Sequence, residues 1–213
     1  MSIIDRLQEK KWVILFVIYL RYLIGAAFVF ASIVKIQGNR FTTGIGIDAP
    51  IHSALHFFET LYQSGLYWKF LGWSQLIVGF ILMTQRFAAL GAVLFLPVSL
   101  NIFVITVSYD FGGTPVITGL MLLANIFLMI WDYRKFALLL NMKGNTTNNK
   151  VILLDSFSGD KLWMVLGLVL FVTTVVYVLM YDRKPTQWFL ACLVLGVTGM
   201  IIHSVKHRDI IDK

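Results

Sequence analysis

The sequence predicts an all-α membrane protein: an antiparallel four-helix transmembrane bundle with an outer interfacial amphipathic helix and a C-terminal two-helix hairpin. Three observations carry that expectation. Hydrophobic residues make up 58% of 213 positions and charged residues 14%, with a mean hydropathy of +0.79. Soluble domains are about half apolar and about a quarter charged. Six apolar runs of around 20 residues recur, each long enough for a hydrocarbon core of about 30 Å. Finally, the basic residues are shared unevenly between the connecting segments.

The predicted spans cover residues 12–36, 66–84, 87–108, 114–131, 162–181 and 188–204. The first is too long for a signal-peptide core and runs into polar residues without a cleavage site, so it is expected to be a mature helix. The 37–65 segment is the longest outside connection. It begins QGNRFTTGIGIDAP, turn-like and rich in glycine, and continues IHSALHFFETLYQSG. At about 100° per residue, Ile51, Ala54, Leu55, Phe58, Leu61 and Tyr62 share one side of a helix over 50–64, with His52, His56, Glu59, Thr60 and Gln63 on the other. Pro50, after Asp48, suits a first turn. Tight turns at MTQRF and SYDFGGTP make spans two, three and four successive antiparallel hairpins. Residues 1–140 form the expected core, 141–161 a cytoplasmic linker, and 162–213 a second hairpin with a basic tail.

With the N-terminus inside, twelve of the 18 Lys and Arg residues fall in cytoplasmic segments, five outside, and Arg21 within the membrane. That bias follows the positive-inside rule and places both termini in the cytoplasm. The net charge of +7 is therefore a topology signal that also attracts anionic lipids, and no nucleic-acid partner is expected. Cys192 stands alone, which excludes dithiol chemistry within the chain. No GxGxxG, Walker or nucleophile-elbow pattern occurs, so no dinucleotide is expected. His203 and His207 lie at the exit of the last span, unsuited to haem.

Each of the first four spans carries one polar or small stripe: Arg21, Gly25, Phe28, Ser32 and Lys35; Trp68, Gly72, Gln75 and Gly79; Pro97, Asn101 and Ser108; Thr114, Thr118, Met121, Asn125 and Asp132. Lipid cannot satisfy such groups, so the stripes should face one another. Arg21, Gln75 and Asn125 all fall on the order of 10–14 Å from the inner ends of their spans. The amide oxygens of Gln75 and Asn125 are expected to hold the Arg21 guanidinium, with no carboxylate at that depth. A cation in mid-membrane costs roughly 2.5 kcal/mol or more and is by default a functional hypothesis. Arg21 thus has three readings: a hub fixing helix register, an anchor for a polar head group, or a side chain snorkelling inward. Ser32, Lys35 and Asn101 lie nearer the outer side. Pro97 frees the Val93 carbonyl and should kink the third span.

At the outer mouth, Glu59 could pair with Arg40, Lys35 or Lys69, and Asp110 with Lys35. His52, His56 and Glu59 at i, i+4 and i+7 have metal-ligand spacing, but Ser53 stands where a HExxH motif needs glutamate. Histidines on the wet face of an interfacial helix are ordinarily just solvated, and no metal is expected. The last two spans carry only scattered polar groups, including Thr173, Thr174 and Thr198, and should be peripheral.

LRYLIGAAFVFASIVK, then WKFLGWSQLIVGFILMTQRFAALGAVLFLPVSLNIFVIT and GTPVITGLMLLANIFLMIWDY, resemble the DoxX-like family of small bacterial four-helix membrane proteins over about residues 10–140. The resemblance implies a mixed range of roles, including subunits of a thiosulfate:quinone oxidoreductase and members of redox-stress complexes. It transfers Arg21 and Lys35. Relatives often carry an acidic residue near the position of Gln75; the neutral amide here counts against proton-coupled redox chemistry. The expected function is that of a non-catalytic membrane accessory protein or subunit. Its cavity, headed by Arg21, would take a lipid or quinone head group, and its partners would be membrane lipids and a protein in the membrane or periplasm. A quinone-reducing oxidoreductase subunit and a small-solute transporter are the alternatives, though a transporter should show an inverted repeat and none is visible.

Overall fold

The computed structural model describes residues 3–133, 135–136, 160–180 and 185–211. The predicted linker at 141–161 therefore lies outside the described residues apart from its last two positions. Among the described residues eight helices follow in order: α1 (Ile3–Leu7), α2 (Lys11–Ile36), α3 (Ala54–Gln63), α4 (Leu66–Met83), α5 (Ala88–Ser108), α6 (Thr114–Trp131), α7 (Lys161–Met180) and α8 (Pro185–Ile211). All except α1 and α3 are long and apolar enough to cross a membrane. Six such helices fit a multi-pass integral membrane protein, and among the described residues there is no strand.

Helix α2 is the axis of the bundle. Its 26 residues extend about 39 Å, against about 27 Å for the 18 of α4 or α6. It packs along α4 through small residues. A methyl group added at Gly79 would stand 2.8 Å from the Gly25 carbonyl oxygen, and one at Gly72 would stand 2.9 Å from that of Ser32. Close backbone approach of this kind suits helices in lipid, where association depends on packing and not on the hydrophobic effect. Gly25, Ser32 and Lys35 thus face Gly79 and Gly72, as the stripes require. Helix α5 packs on both α4 and α6. Gly113, at φ +72°, turns the chain into α6 with Pro115 in its first turn.

The expected peripheral position of the last hairpin is corrected. Helix α7 lies against both α2 and α4. Tyr22 donates its phenolic hydrogen to the Trp163 carbonyl, and a Cβ on Gly167 would collide with the Met83 carbonyl. Tyr19 reaches α8, donating to the Gly196 carbonyl at 2.6 Å. Within the hairpin, Trp188 Nε1 donates to Thr174 Oγ1 at 3.1 Å, and Thr174 is fully buried. A phenol or indole inside lipid needs an acceptor, and these backbone and hydroxyl acceptors tie the hairpin to the core.

The interfacial helix is also shorter than the predicted 50–64. Ser53 Oγ accepts from the His56 amide at 3.2 Å and starts α3 at Ala54. A hydroxyl at the N-cap outcompetes the Asp48–Pro50 start because it satisfies an amide that the helix leaves open. Helix α5 continues through Pro97.

Candidate functional site

Two buried cations sit on one helix. Arg21 and Lys35 are fourteen positions apart on α2, about 21 Å along its axis. Both are nearly inaccessible, at 3% and 6% exposure. Their surroundings differ.

Arg21 joins its own helix to two other elements at the end of the bundle opposite α3. Its Nη2 donates to Asp132 Oδ2 at 2.6 Å, and its Nη1 to Gln85 Oε1 at 3.0 Å. Asp132 is the C-cap of α6, is itself 6% exposed, and also pairs with Lys135 Nζ at 3.4 Å. Gln85, in the α4–α5 turn at φ +59°, sends its amide hydrogen to the Ile18 carbonyl of α2 at 3.3 Å. The expectation that Gln75 and Asn125 would hold Arg21, with no carboxylate near, is therefore corrected. The physical reason is axial offset: α2 and α4 touch with Gly72 against Ser32 and Gly79 against Gly25, which brings the end of α4 beside Arg21. Arg21 is consequently level with a turn and a helix cap, and mid-span amides lie out of reach. Asp132 stood on the predicted α6 stripe, which was the legible signal; Gln85, in a turn, carried none.

Asn125 performs a different task. With its amide turned to match its surroundings, it donates to the Ala92 carbonyl and accepts from the Leu96 amide, both at 3.0 Å. It thus braces α5 one residue before Pro97. Ser99 Oγ lies 3.4 Å from the same amide group. Ser32 is also satisfied locally, donating to the Val29 carbonyl at 2.7 Å.

The remaining predicted ligand residues, Lys35, Gln75 and Asn101, line one cavity of about 460 Å³ at the α3 end. Arg21 is not among its lining residues, so the cavity is headed by Lys35. The Lys35 ammonium donates to the Ala31 carbonyl at 2.9 Å and lies 4.5 Å from the centroid of Phe41 and 5.4 Å from that of Trp68. Among the described residues, no carboxylate pairs with it, Asp110 included; Asp110 is exposed in the turn after α5. Gln75 is 7% exposed, and its Oε1 is buried without a hydrogen-bond partner. A fully enclosed amide oxygen of that kind ordinarily costs about 1–3 kcal/mol unless something donates to it. Thr106 and Thr118, which share a hydrogen bond at 2.8 Å, close the inner wall between α5 and α6. Elsewhere the lining is mainly apolar and aromatic. Tyr67 and Phe70 on α4, with Pro97 and Asn101 on α5, are lining residues that remain exposed, which marks an opening between those two helices.

The roof is the 37–63 segment. Phe41, Phe58 and Leu61 reach the cavity from it, joined by Phe111. Arg40 grips Glu59 with two hydrogen bonds, Nε to Oε2 at 2.8 Å and Nη2 to Oε1 at 2.9 Å. Glu59 also accepts from the Gly46 amide at 3.4 Å and from Gln63 at 3.3 Å. The arginine, with these further donors, outweighs burial and draws the carboxyl down to about 2 from 4.5. Arg40 is raised in turn by the same bond. Of the three predicted partners for Glu59, Arg40 is the one used. Glu59 was expected on the wet face with His52 and His56; at 3% exposure it instead faces the loop. His52 is exposed outside α3, and His56 Nδ1 lies 3.2 Å from the Gly46 carbonyl, so the metal-ligand spacing is not realised. Among the described residues, no group of three His, Cys, Asp or Glu side chains could hold a metal ion.

Comparison with known proteins adds one relative. Over 73 residues, covering 34% of this chain and 47% of the other, the sequence is 38% identical to the uncharacterized protein YwoB of Bacillus subtilis (strain 168). The match thus spans about half the length of that relative. No family model matches the chain, and no solved structure matches it.

Proposed function

We propose that this is a non-catalytic membrane accessory protein or subunit that binds the head of an amphiphile, a lipid or a quinone, in the cavity headed by Lys35. One observation carries the reading. Lys35 and Gln75 line the same largely apolar cavity, one as a cation that pairs with no carboxylate among the described residues and the other as an amide whose enclosed oxygen has no donor. Apolar pockets with a few convergent polar groups are the usual form of small-molecule sites, in the range of about 300–1,000 Å³. The opening between α4 and α5 lies along the apolar flank of the bundle, the direction from which a membrane amphiphile would enter. We propose a bacterial inner membrane as its location, on the DoxX-like resemblance, with both termini cytoplasmic on the distribution of its lysines and arginines. The DoxX-like resemblance over about residues 10–140 belongs to the same proposal.

The alternative is the membrane subunit of a quinone-reducing oxidoreductase. The aromatic lining and the orphan Gln75 Oε1 favour it, since a quinol hydroxyl donates to such an oxygen. Native mass spectrometry of gently solubilised protein, with extraction of bound lipids, tests the reading. Wild-type protein should carry a stoichiometric amphiphile that Lys35→Met loses and Arg21→Met, if folded, retains. An empty wild-type cavity, or a ligand that survives Lys35→Met, overturns it.

A further inference from the structure

Three places in the fold gather buried space or buried polar groups. A second cavity of about 320 Å³ between α2, α7 and α8 is mainly apolar, and its Tyr19, Tyr22 and Trp188 already spend their polar hydrogens on acceptors within the protein. The Arg21–Asp132–Gln85 cluster supplies its own countercharge, and the one Arg21 donor left over, Nε, is enclosed without a partner and lines neither cavity. The Lys35 cavity has a polar pattern specific enough to name a chemical class.

We infer that the ligand is a single-chain amphiphile with a phosphate head and a free hydroxyl between the phosphate and the acyl chain, as in a monoacyl glycerophosphate. This inference rests on the reading of the cavity proposed above. Its basis is the order in which the polar groups are met going inward. Gly72 of α4 abuts Lys35, since a Cβ there would stand 2.9 Å from Lys35 Cβ. Gln75 follows three residues later, about 4.5 Å deeper along α4 and towards the Gly79–Gly25 contact. A ligand entering head-outward therefore presents an oxygen to the ammonium first and a second polar group to Gln75 next. Its apolar chain follows.

The charge and the unpaired acceptor fix the chemistry at each level. Lys35 has three N–H donors; one meets the Ala31 carbonyl and two aromatic faces flank the rest of the ammonium. Such a cation lacks an anion, and a phosphate oxygen supplies one. Gln75 Oε1 is an acceptor and requires a donor. Below its phosphate a diacyl lipid offers only ester oxygens, which accept and would leave Oε1 unpaired. Lipids with polyol heads have hydroxyls, but on the far side of the phosphate, above Lys35. A monoacyl glycerophosphate has the hydroxyl one carbon below the phosphate-bearing carbon, in the position that Gln75 occupies. A quinol has the donor but no anionic oxygen. The cavity volume of about 460 Å³ also suits one chain in preference to two.

Binding to the full-length protein, purified in a non-ionic detergent, tests the order. The probes for native mass spectrometry are monoacyl glycerophosphate, diacyl glycerophosphate, monoacylglycerol, a short-chain ubiquinol and inorganic phosphate. Loss of one buried hydrogen bond or charge contact of about 1–3 kcal/mol corresponds to about 5- to 150-fold in affinity. Monoacyl glycerophosphate should therefore bind at least about fivefold more tightly than any other probe. Gln75→Leu should abolish its advantage over the diacyl form while keeping its advantage over monoacylglycerol, and Lys35→Met should do the reverse. Equal binding of the diacyl lipid, or tighter binding of the ubiquinol, overturns the inference and leaves the amphiphile reading standing. Inorganic phosphate displacing the lipid at equal concentration overturns the inference by showing that the head alone is recognised. Failure of every probe to bind overturns both. Thermal unfolding of each variant confirms that lost binding reports the site and not the fold.

Discussion

The two ends of α2 make an informative pair. Near one end Arg21 is buried against a carboxylate, an amide and, through Asp132, a second cation; towards the other Lys35 is buried against a carbonyl and two rings. Both side chains are equally hidden, so burial does not separate them. What separates them is whether the fold supplies the countercharge. Arg21 has its own and works as a joint between α2, the α4–α5 turn and the cap of α6. Lys35 has none among the described residues and faces a space that a ligand can fill. A buried cation in a membrane bundle is therefore read by its partner first and its depth second.

The comparison breaks most sharply at Asp132. Asp132→Asn leaves the buried Arg21 without its countercharge, whereas the half-exposed Lys135 stays solvated, and removing one partner of a buried pair typically costs about 3–5 kcal/mol. A large fall in the midpoint of thermal unfolding is expected, while Arg21→Met should cost less because Lys135 still serves Asp132. If Asp132→Asn unfolds no more easily than wild type, Arg21 is not a structural joint. Next in size is Gly79→Ala, which forces apart α2 and α4 at the 2.8 Å contact with Gly25. Overpacking of this kind costs about 1–3 kcal/mol. Separated helices should also enlarge the Lys35 cavity, read as weaker ligand retention.

Lys35→Met sharpens the contrast from the other side. Replacing a buried charge by an apolar chain of similar length is often neutral or stabilising, by up to about 1–4 kcal/mol where a whole pair is replaced. The midpoint of ligand-free protein should therefore hold or rise, opposite in sign to Asp132→Asn. A fall comparable to that of Asp132→Asn would make both ends of α2 structural.

The smallest expected effect is in the roof. The Glu59 carboxyl, drawn from 4.5 to about 2, contributes stability that is fully present above about pH 4.5 and lost as pH falls through about 2. Proteolytic cleavage within residues 37–64 should be slow at pH 7 and faster at pH 3, where the unfolded but not the folded carboxyl is largely protonated. Glu59→Gln at pH 7 should open the segment without lowering the global midpoint. If cleavage is unchanged in both tests, the Arg40 pair does not hold the roof.

Much of this was legible in the sequence because it depends on properties that a lone segment already has. A run of apolar residues needs its own hydrogen bonds satisfied inside lipid, and only a helix does that locally, so the six spans follow from composition and length. The stripes were legible for the same reason, as polar residues at helical spacing have to face inward. The Glu59–Arg40 contact was one of three foreseen pairings, since both residues lie in the same outer segment.

The tertiary structure decided the pairings that depend on axial offset. Arg21 looked central because its distance was counted along α2, yet α2 is eight residues longer than α4 or α6. Only the packed bundle sets where that extra length falls, and it brings Arg21 level with Asp132 and Gln85. The same offset leaves Lys35 opposite Gly72, one turn from Gln75, with no carboxylate paired to it among the described residues. Hydropathy fixes that a helix crosses; it does not fix how far one helix slides against the next. The contacts of Gly72, Gly79 and Gly25 set that slide, and with it which cation joins the fold and which faces the cavity.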